Sequence, residues 1–246
     1  MTEIVTAGIL VIGDEILSGR TKDKNIGFIA DYLTNIGIDL KEVRVVADDE
    51  ADIIAALDAL RGRYNYVFTT GGIGPTHDDI TADSIAKAFG VGIDHHPEVV
   101  ARFKERFKNP GELNEARLRM ARIPDGAELI QSATILAPGF KIGNVIVMAG
   151  VPSIMQAMMD IVAPTLKSGV RMLSESVRAN CREGDIGGPL REIANAHPDT
   201  MIGSYPFIDE NQKPNTNLVV RSRDPDKLAA AVAAVKEMIA QLSATR

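Results

Sequence analysis

Two adjacent carboxylates, Asp78 and Asp79, follow a glycine-rich stretch in YVFTTGGIGPTHDDIT, Tyr66 to Thr81. The pair lies where it can hold a divalent cation, and such a cation bridges readily to phosphate oxygens. Gly71, Gly72 and Gly74 let peptide N–H groups come close to a phosphate, and a helix starting a few residues later adds positive potential. Thr69, Thr70 and Thr76 can donate hydroxyl hydrogen bonds, and Pro75 stiffens the turn between them. The same residues also suit a plain glycine turn in which Asp78 or Asp79 caps the helix. The segment is not a GxGxxG fingerprint, because the third glycine is missing. It is not a P-loop either, because no Gly-Lys-Ser/Thr follows. His77 sits inside the motif, either against phosphate or as a solvated turn residue.

Two further segments have the same form. Gly13, Asp14, Glu15 and Ser18 follow the apolar run IVTAGILVI. Two carboxylates and a serine at a strand end suit recognition of a metal, a ribose or a ring nitrogen, and capping of the next helix is the alternative. Gly150, Pro152 and Ser153 lie in AGVPS, again after an apolar run and before a helix. In an open parallel sheet, ligands bind at the carboxyl ends of strands, so three such ends would converge on one crevice.

The elements that must position these residues follow from periodicity. Ile4 to Ile12 is a continuous apolar run of the kind found in a strand buried on both faces, and Ile38 to Ala47, Tyr64 to Thr70 and Asn144 to Ala149 are further strand candidates. Between them lie helix patterns. Lys24 to Ile36 has Asp23 as its cap and Gly37 as its stop. The next helix is capped by Asp48 or Asp49 and faces the core with Ile53, Ile54, Leu57 and Leu60. A third spans Asp79 to Phe89. Helices are also predicted over Pro97 to Lys108 and Glu112 to Arg122, separated by Asn109-Pro110-Gly111. Another follows AGVPS, with Ile154, Met158, Ile161 and Val162 on one face. Arg117, Arg119 and Arg122 form a basic stripe that reads as a solvated helix face. Strand-helix alternation of this kind predicts a mostly parallel sheet covered on both sides.

Pro164 to Gly169 reads as a boundary, giving a first domain over 1–168 and a smaller α+β domain over 169–246. The tail reads as a strand, a helix from Asp185 to Ala196, two more strands, and a last helix from Pro225 to Leu242 with Asp224 as N-cap. The chain has 246 residues and a formal net charge of −6. A protein that neutralises many phosphates usually carries a basic surface, so nucleic acid is not an expected partner. The lone Cys181 forms no internal disulfide and reads as a small buried hydrophobe. With no apparent signal peptide and no run long enough to span a membrane, a cytoplasmic protein is expected.

GDEILSG, TTGGIGPTHDDIT, NEARLRMARIPDGAELI, APGF and AGVPS, in this order, resemble the amino-terminal domain of the competence/damage-inducible protein A (CinA) family. That domain belongs to the molybdopterin-binding superfamily, together with molybdopterin adenylyltransferases. The resemblance covers Ile4 to Leu166. EGDIGGPLREI and IGSYPF resemble the small KH-like domain that follows in CinA proteins, and the form without a deamidase domain is expected. The resemblance implies a MoaB-like three-layer αβα sandwich and a nucleotide or pterin ligand, including molybdopterin. It also implies metal-dependent pyrophosphate hydrolysis with ADP-ribose as a substrate, supported by magnesium, manganese or cobalt. Asp79 matches the aspartate of the adenylyltransferase pattern TGGTGxxxRDxT, whereas Asp78 stands where that pattern has arginine. Gly150 and Pro152 match a P-G-x-P turn whose first proline is Ala149 here, and Ile154 replaces a glutamate. Asp79, Asp78 and Asp14 are the expected catalytic residues, the first two as metal ligands. Gly13, Glu15, Ser18, Thr70, Gly71, Gly72, Gly74, Pro75, Thr76, Gly150, Pro152 and Ser153 are expected to bind substrate. Gly184 to Gly187 fits a GxxG loop, but Glu183 and Asp185 would repel phosphates. The tail is therefore expected to serve interaction or self-association, as a dimer or trimer.

Overall fold

A computed structural model describes residues 4–244. The chain forms two compact units, the first ending at Gly169 and the second beginning at Val170. In the first unit, strands β1 (Val5–Ile12), β2 (Ile38–Val46) and β3 (Tyr66–Thr70) alternate with helices α1 (Asp14–Leu17), α2 (Asn25–Asn35) and α3 (Glu50–Arg61). Next come α4 (Thr81–Phe89), β4 (Ile93–His95), α5 (Pro97–Arg106), α6 (Glu115–Arg119) and β5 (Arg122–Pro124). The strands β6 (Glu128–Ile130), β7 (Gly139–Ile142) and β8 (Val145–Met148) and the helix α7 (Pro152–Val162) complete it.

The main sheet has the order β2-β1-β3-β8-β7-β6. The first four strands run parallel, and β7 and β6 extend the sheet antiparallel. Side chains alternate across a strand, so each buried strand supplies two cores. Ile9, Val11, Phe68, Ile146 and Met148 pack with Ile29 and Leu33 of α2 and with Met155, Met158 and Met159 of α7. On the other face, Leu10, Ile12, Val67, Val145 and Val147 pack with Ile53, Leu57 and Leu60 of α3 and Ile85 of α4. This is the expected three-layer αβα arrangement with a mostly parallel sheet.

Caps fix where the helices begin. The Asp23 carboxylate accepts from the N–H groups of Asn25 and Ile26 at 3.1 and 2.8 Å. Of the two candidates before α3, Asp49 is the cap, accepting from Ala51 and Asp52 N–H at 2.9 and 3.1 Å. Asp49→Ala removes that acceptor. It should lower stability by about 1 kcal/mol, measured by denaturant unfolding, with the crevice chemistry unchanged.

Three expectations need correction. The helix expected over Glu112 to Arg122 survives only as the short α6, started by Asn114, whose side chain accepts from Arg117 N–H at 3.0 Å. After it the chain extends, because Ile123 is buried in the α3–α4 core and Arg122 to Pro124 pair with β4. No element is expected between Arg122 and Asn144, yet Glu128–Ile130 pairs with Gly139–Ile142 at the sheet edge. Ile154 does not join the buried face of α7. It is 38% exposed, and Met155 takes the core position.

The second unit holds β9 (Leu173–Arg178), α8 (Glu183–Ala196), β10 (Met201–Ile208), β11 (Pro214–Ser222) and α9 (Pro225–Ala244). Its sheet is antiparallel in the order β10-β11-β9. Leu218 and Val220 pack with Ile186 of α8 and with Ala231, Val232 and Val235 of α9, and the free Cys181 is buried in the same core. The α+β character is as expected. Asp224 caps α9 by accepting from Asp226 and Lys227 N–H. Gly184 to Gly187, however, is the first turn of α8 rather than a GxxG loop. Glu183 and Asp185 favour the positive end of a helix dipole there, and Ile186 anchors the turn in the core.

Candidate functional site

β1, β3 and β8 are adjacent in the sheet and run parallel, so the segments that leave their carboxyl ends meet. Gly71 N–H donates to Met148 O at 3.3 Å, and Gly13 N–H donates to Val46 O at 3.1 Å. Gly150 faces Gly71 so closely that a Cβ on it would lie 3.3 Å from Gly71 Cα. Gly13, Gly71 and Gly150 thus occupy one ridge of the sheet, as the three strand-end motifs require.

The glycine loop is held by its own residues. Gly71 and Gly72 have φ of 102° and 65°. Thr81, the first residue of α4, clasps both: its N–H donates to Gly72 O and its hydroxyl to Gly71 O, each at 3.0 Å. The peptide N–H groups of Gly72, Ile73 and Gly74 are bonded to no protein acceptor among the described residues. They are donors available to an anion. The Asp79 carboxylate folds back on the loop, accepting from Thr76 N–H at 2.8 Å and from the Thr76 hydroxyl at 2.5 Å. Pro75 and Thr76 therefore shape the turn. Asp78 is exposed, and His77 is almost fully solvated.

The acidic side of the crevice includes a residue that sequence reasoning read only as a cap. Asp48 leaves β2, and its carboxylate accepts from Asp14 N–H at 3.0 Å. Burial pushes the Asp48 carboxyl up from its ordinary value, and the charges of Asp14, Glu15 and Asp78 add to this, against the lowering effect of the Asp14 N–H bond. Three acidic strand-end residues thus act on a fourth. Two consecutive aspartates before a helix were the available signal: one caps, and the other is free for the site. A raised folded pKa favours the protonated form in the fold. Its stabilising effect is present below the ordinary carboxylate pKa of about 4 and is lost as pH rises through the folded value. Ionised Asp48 therefore opposes folding at neutral pH. Asp48→Asn keeps an oxygen for Asp14 N–H, so it should melt above wild type at pH 7 in chelator, with the advantage fading as pH falls below about 4. Equal melting temperatures at both pH values would contradict this placement.

Other expected residues are less committed. The Glu15 carboxylate lies over Gly13, within 2.6 Å of where a Cβ there would stand. The Ser18 hydroxyl donates back to Glu15 O at 3.3 Å, within its own turn. Pro152 is the first residue of α7, and Ser153 beside it is exposed. The Thr70 hydroxyl is buried and has no partner. Asn25, which the sequence did not single out, is 4% exposed and donates from its side-chain amide to Gly150 O at 2.8 Å. It ties the start of α2 to the third strand-end turn.

The arginine stripe is not a solvated helix face. Arg119 donates from Nε and Nη2 to Asp79 O, each at 3.1 Å. Arg122 grips Asp83 of α4 with both nitrogens, at 2.7 and 2.6 Å. Both arginines line a narrow crevice with Gly72, Gly74, Asp79 and the APGF residues Pro138 and Phe140.

Among the described residues, no three His, Cys, Asp or Glu side chains are grouped closely enough to enclose a metal ion. A cation shared between one or two carboxylates and substrate phosphates needs no such cage. The exposed Asp78 and the loop carboxylate Asp79 have the donor chemistry for that arrangement.

Residues 8–168 match the family described as probable molybdopterin binding domain. The chain belongs to that family. Residues 171–246 match a second description, FAD synthase, middle domain. The CinA protein from Thermoplasma acidophilum, described as of unknown function, is similar at 32% identity with a TM-score of 0.62. That match covers 66% of this chain and 98% of the solved one. A protein from Archaeoglobus fulgidus is 32% identical over 232 residues, covering 94% of this chain and 96% of its own. The probable FAD synthase of Caenorhabditis elegans is 31% identical over 265 residues, covering 98% of this chain. The chain spans about half of that relative, 51% of its length. The CinA-like reading of the first unit is thus supported. The likeness of the second unit to the middle part of FAD synthases is a finding the sequence motifs did not anticipate. No helix among the described residues is long and apolar enough to cross a membrane.

Proposed function

We propose that the strand-end crevice binds an adenine compound linked through a diphosphate and hydrolyses that linkage with a divalent cation. The observation that carries this reading is the pairing, in one loop, of three peptide N–H donors without protein partners and two adjacent carboxylates. The N–H groups of Gly72, Ile73 and Gly74 suit diphosphate oxygens. Asp78 and Asp79 would hold magnesium, manganese or cobalt against the same oxygens. Bound there, the cation neutralises phosphate charge and makes water a better nucleophile. Asp14 would orient that water or accept its proton, with Glu15 and Asp48 setting the local field. Water oxygen joins one phosphorus, the bridging P–O bond breaks, and two phosphate monoesters leave, one of them AMP. ADP-ribose is the first substrate to test. FAD is the second, because it carries AMP on a diphosphate and because relatives of this chain are named FAD synthase.

A second reading is binding without turnover, of molybdopterin or a nucleotide. The engagement of the Asp79 carboxylate by Thr76 favours it, as do Ala149 and Ile154 in the third turn. Adenylyl transfer to a pterin is disfavoured by Asp78 at the arginine position. Incubation with ADP-ribose or FAD, with each cation in turn, should release AMP that chromatography resolves. A calorimetric binding signal with no AMP would support the second reading.

A further inference from the structure

The strand-end loops must attract a polyanion although they carry Asp14, Glu15, Asp48, Asp78 and Asp79. Arg119 and Arg122 are the cationic side chains that line the small cavity formed with Gly72, Gly74 and Asp79 of the glycine loop. They are not equivalent. Both terminal nitrogens of Arg122 are held by the two oxygens of Asp83, at 2.7 and 2.6 Å, which satisfies its fork and neutralises its charge locally. Arg119 keeps a looser contact with Asp83, at 3.6 Å, and anchors itself through Nε and Nη2 to a backbone carbonyl, Asp79 O. A carbonyl carries no net charge, and Nη1 of Arg119 has no protein partner. The result is a guanidinium clamped in orientation, about 30% exposed, with Nη1 unpaired, in a side chain that lines the same cavity as Gly72 and Gly74.

We infer that Arg119 is the diphosphate-binding cation of this site, oriented by the Asp79 carbonyl, while Arg122 is committed to Asp83. This rests on the proposed diphosphate reading. A diphosphate-binding role accounts for the bonding of the loop carbonyl at Asp79 by an arginine rather than by water. The same bonds fix the loop and aim the cation. Lysine would not replace it, because an ammonium on a flexible stem cannot fork one carbonyl and still present a planar donor edge.

The test is equilibrium calorimetry with ADP-ribose, and with adenosine as a neutral control, in chelator so that no cation contributes. Arg119→Ala and Arg119→Lys should each weaken ADP-ribose binding by about tenfold to a hundredfold, the range for losing charged hydrogen bonds. Adenosine affinity should change by less than about threefold, because a neutral nucleoside has no phosphate to lose. Arg122→Gln removes a charge of the same sign a few residues away, and it should alter ADP-ribose affinity by less than about threefold, since Asp83 already neutralises that charge. Equal losses for ADP-ribose and adenosine in the Arg119 variants would show a structural role and overturn the inference. So would an Arg122 effect as large as that of Arg119. Wild type that binds neither ADP-ribose nor any other diphosphate would instead overturn the functional reading on which the inference stands.

Discussion

Asp79→Asn is expected to reduce diphosphate hydrolysis by at least about 100-fold while leaving the protein folded. Substitution of groups that only support a metal ligand typically lowers metal affinity or activity 10–100-fold, and a ligating carboxylate should matter at least as much. The structure keeps the two effects separable. An asparagine oxygen can still accept from Thr76 N–H, which the Asp79 carboxylate now does at 2.8 Å. What is lost is the charge assistance to the bonds from Thr76, worth about 0.5–1.5 kcal/mol of stability. Activity assays should therefore collapse, while thermal melting shifts by only a few degrees. A variant that melts like wild type and turns over like wild type would exclude Asp79 from the chemistry.

Gly71→Ala should have the largest effect on stability. A Cβ on Gly71 would stand 2.1 Å from Ile12 O, a backbone atom of the neighbouring strand β1 that no rotamer change can move. The residue also has a φ of 102°, where side chains are strained by about 1–3 kcal/mol. Overpacking of a filled interior adds about 1–3 kcal/mol. Together they predict a loss of about 2–6 kcal/mol, or roughly 5–20 °C in melting temperature for a unit of this size. If the chain avoids unfolding, it must part β3 from β1, and the strand-end ridge goes with it. Ligand binding and stability should therefore fall together, unlike in Asp79→Asn. A Gly71→Ala protein with native melting temperature would mean that the ridge is not packed as described.

The contrast between these residues shows what a sequence can reveal. The β1 strand was legible because a strand buried on both faces is a nearly continuous apolar run, and β3 because aromatic and β-branched residues run straight into a glycine turn. The Asp23 and Asp224 caps were legible because a cap acts within a few residues of itself. The glycine loop was legible as a loop for the same reason. Its contact with α6, and the contact of α4 with β5, were not. Arg119 reaches Asp79 O and Arg122 reaches Asp83 across about 40 residues, and nothing local distinguishes those arginines from a solvated stripe. Asp48 was hidden likewise, since its partner is Asp14 N–H in a different strand-end turn. The strands β6 and β7 have three and four residues, too few to show a period of two. They form because pairing with one another and with β8 satisfies their backbone, a tertiary reason rather than a local one.

On the proposed reading, the crevice at the ends of β1, β3 and β8 cleaves a diphosphate. The most direct test is mass spectrometry of the products formed from ADP-ribose, and separately from FAD, in ¹⁸O-labelled water, with wild type and Asp79→Asn side by side. Cation-dependent AMP from wild type, with a single label on one of the two monoesters, and none above background from Asp79→Asn is the predicted result. Intact diphosphate bound by wild type with every cation, or equal AMP from both proteins, would contradict it.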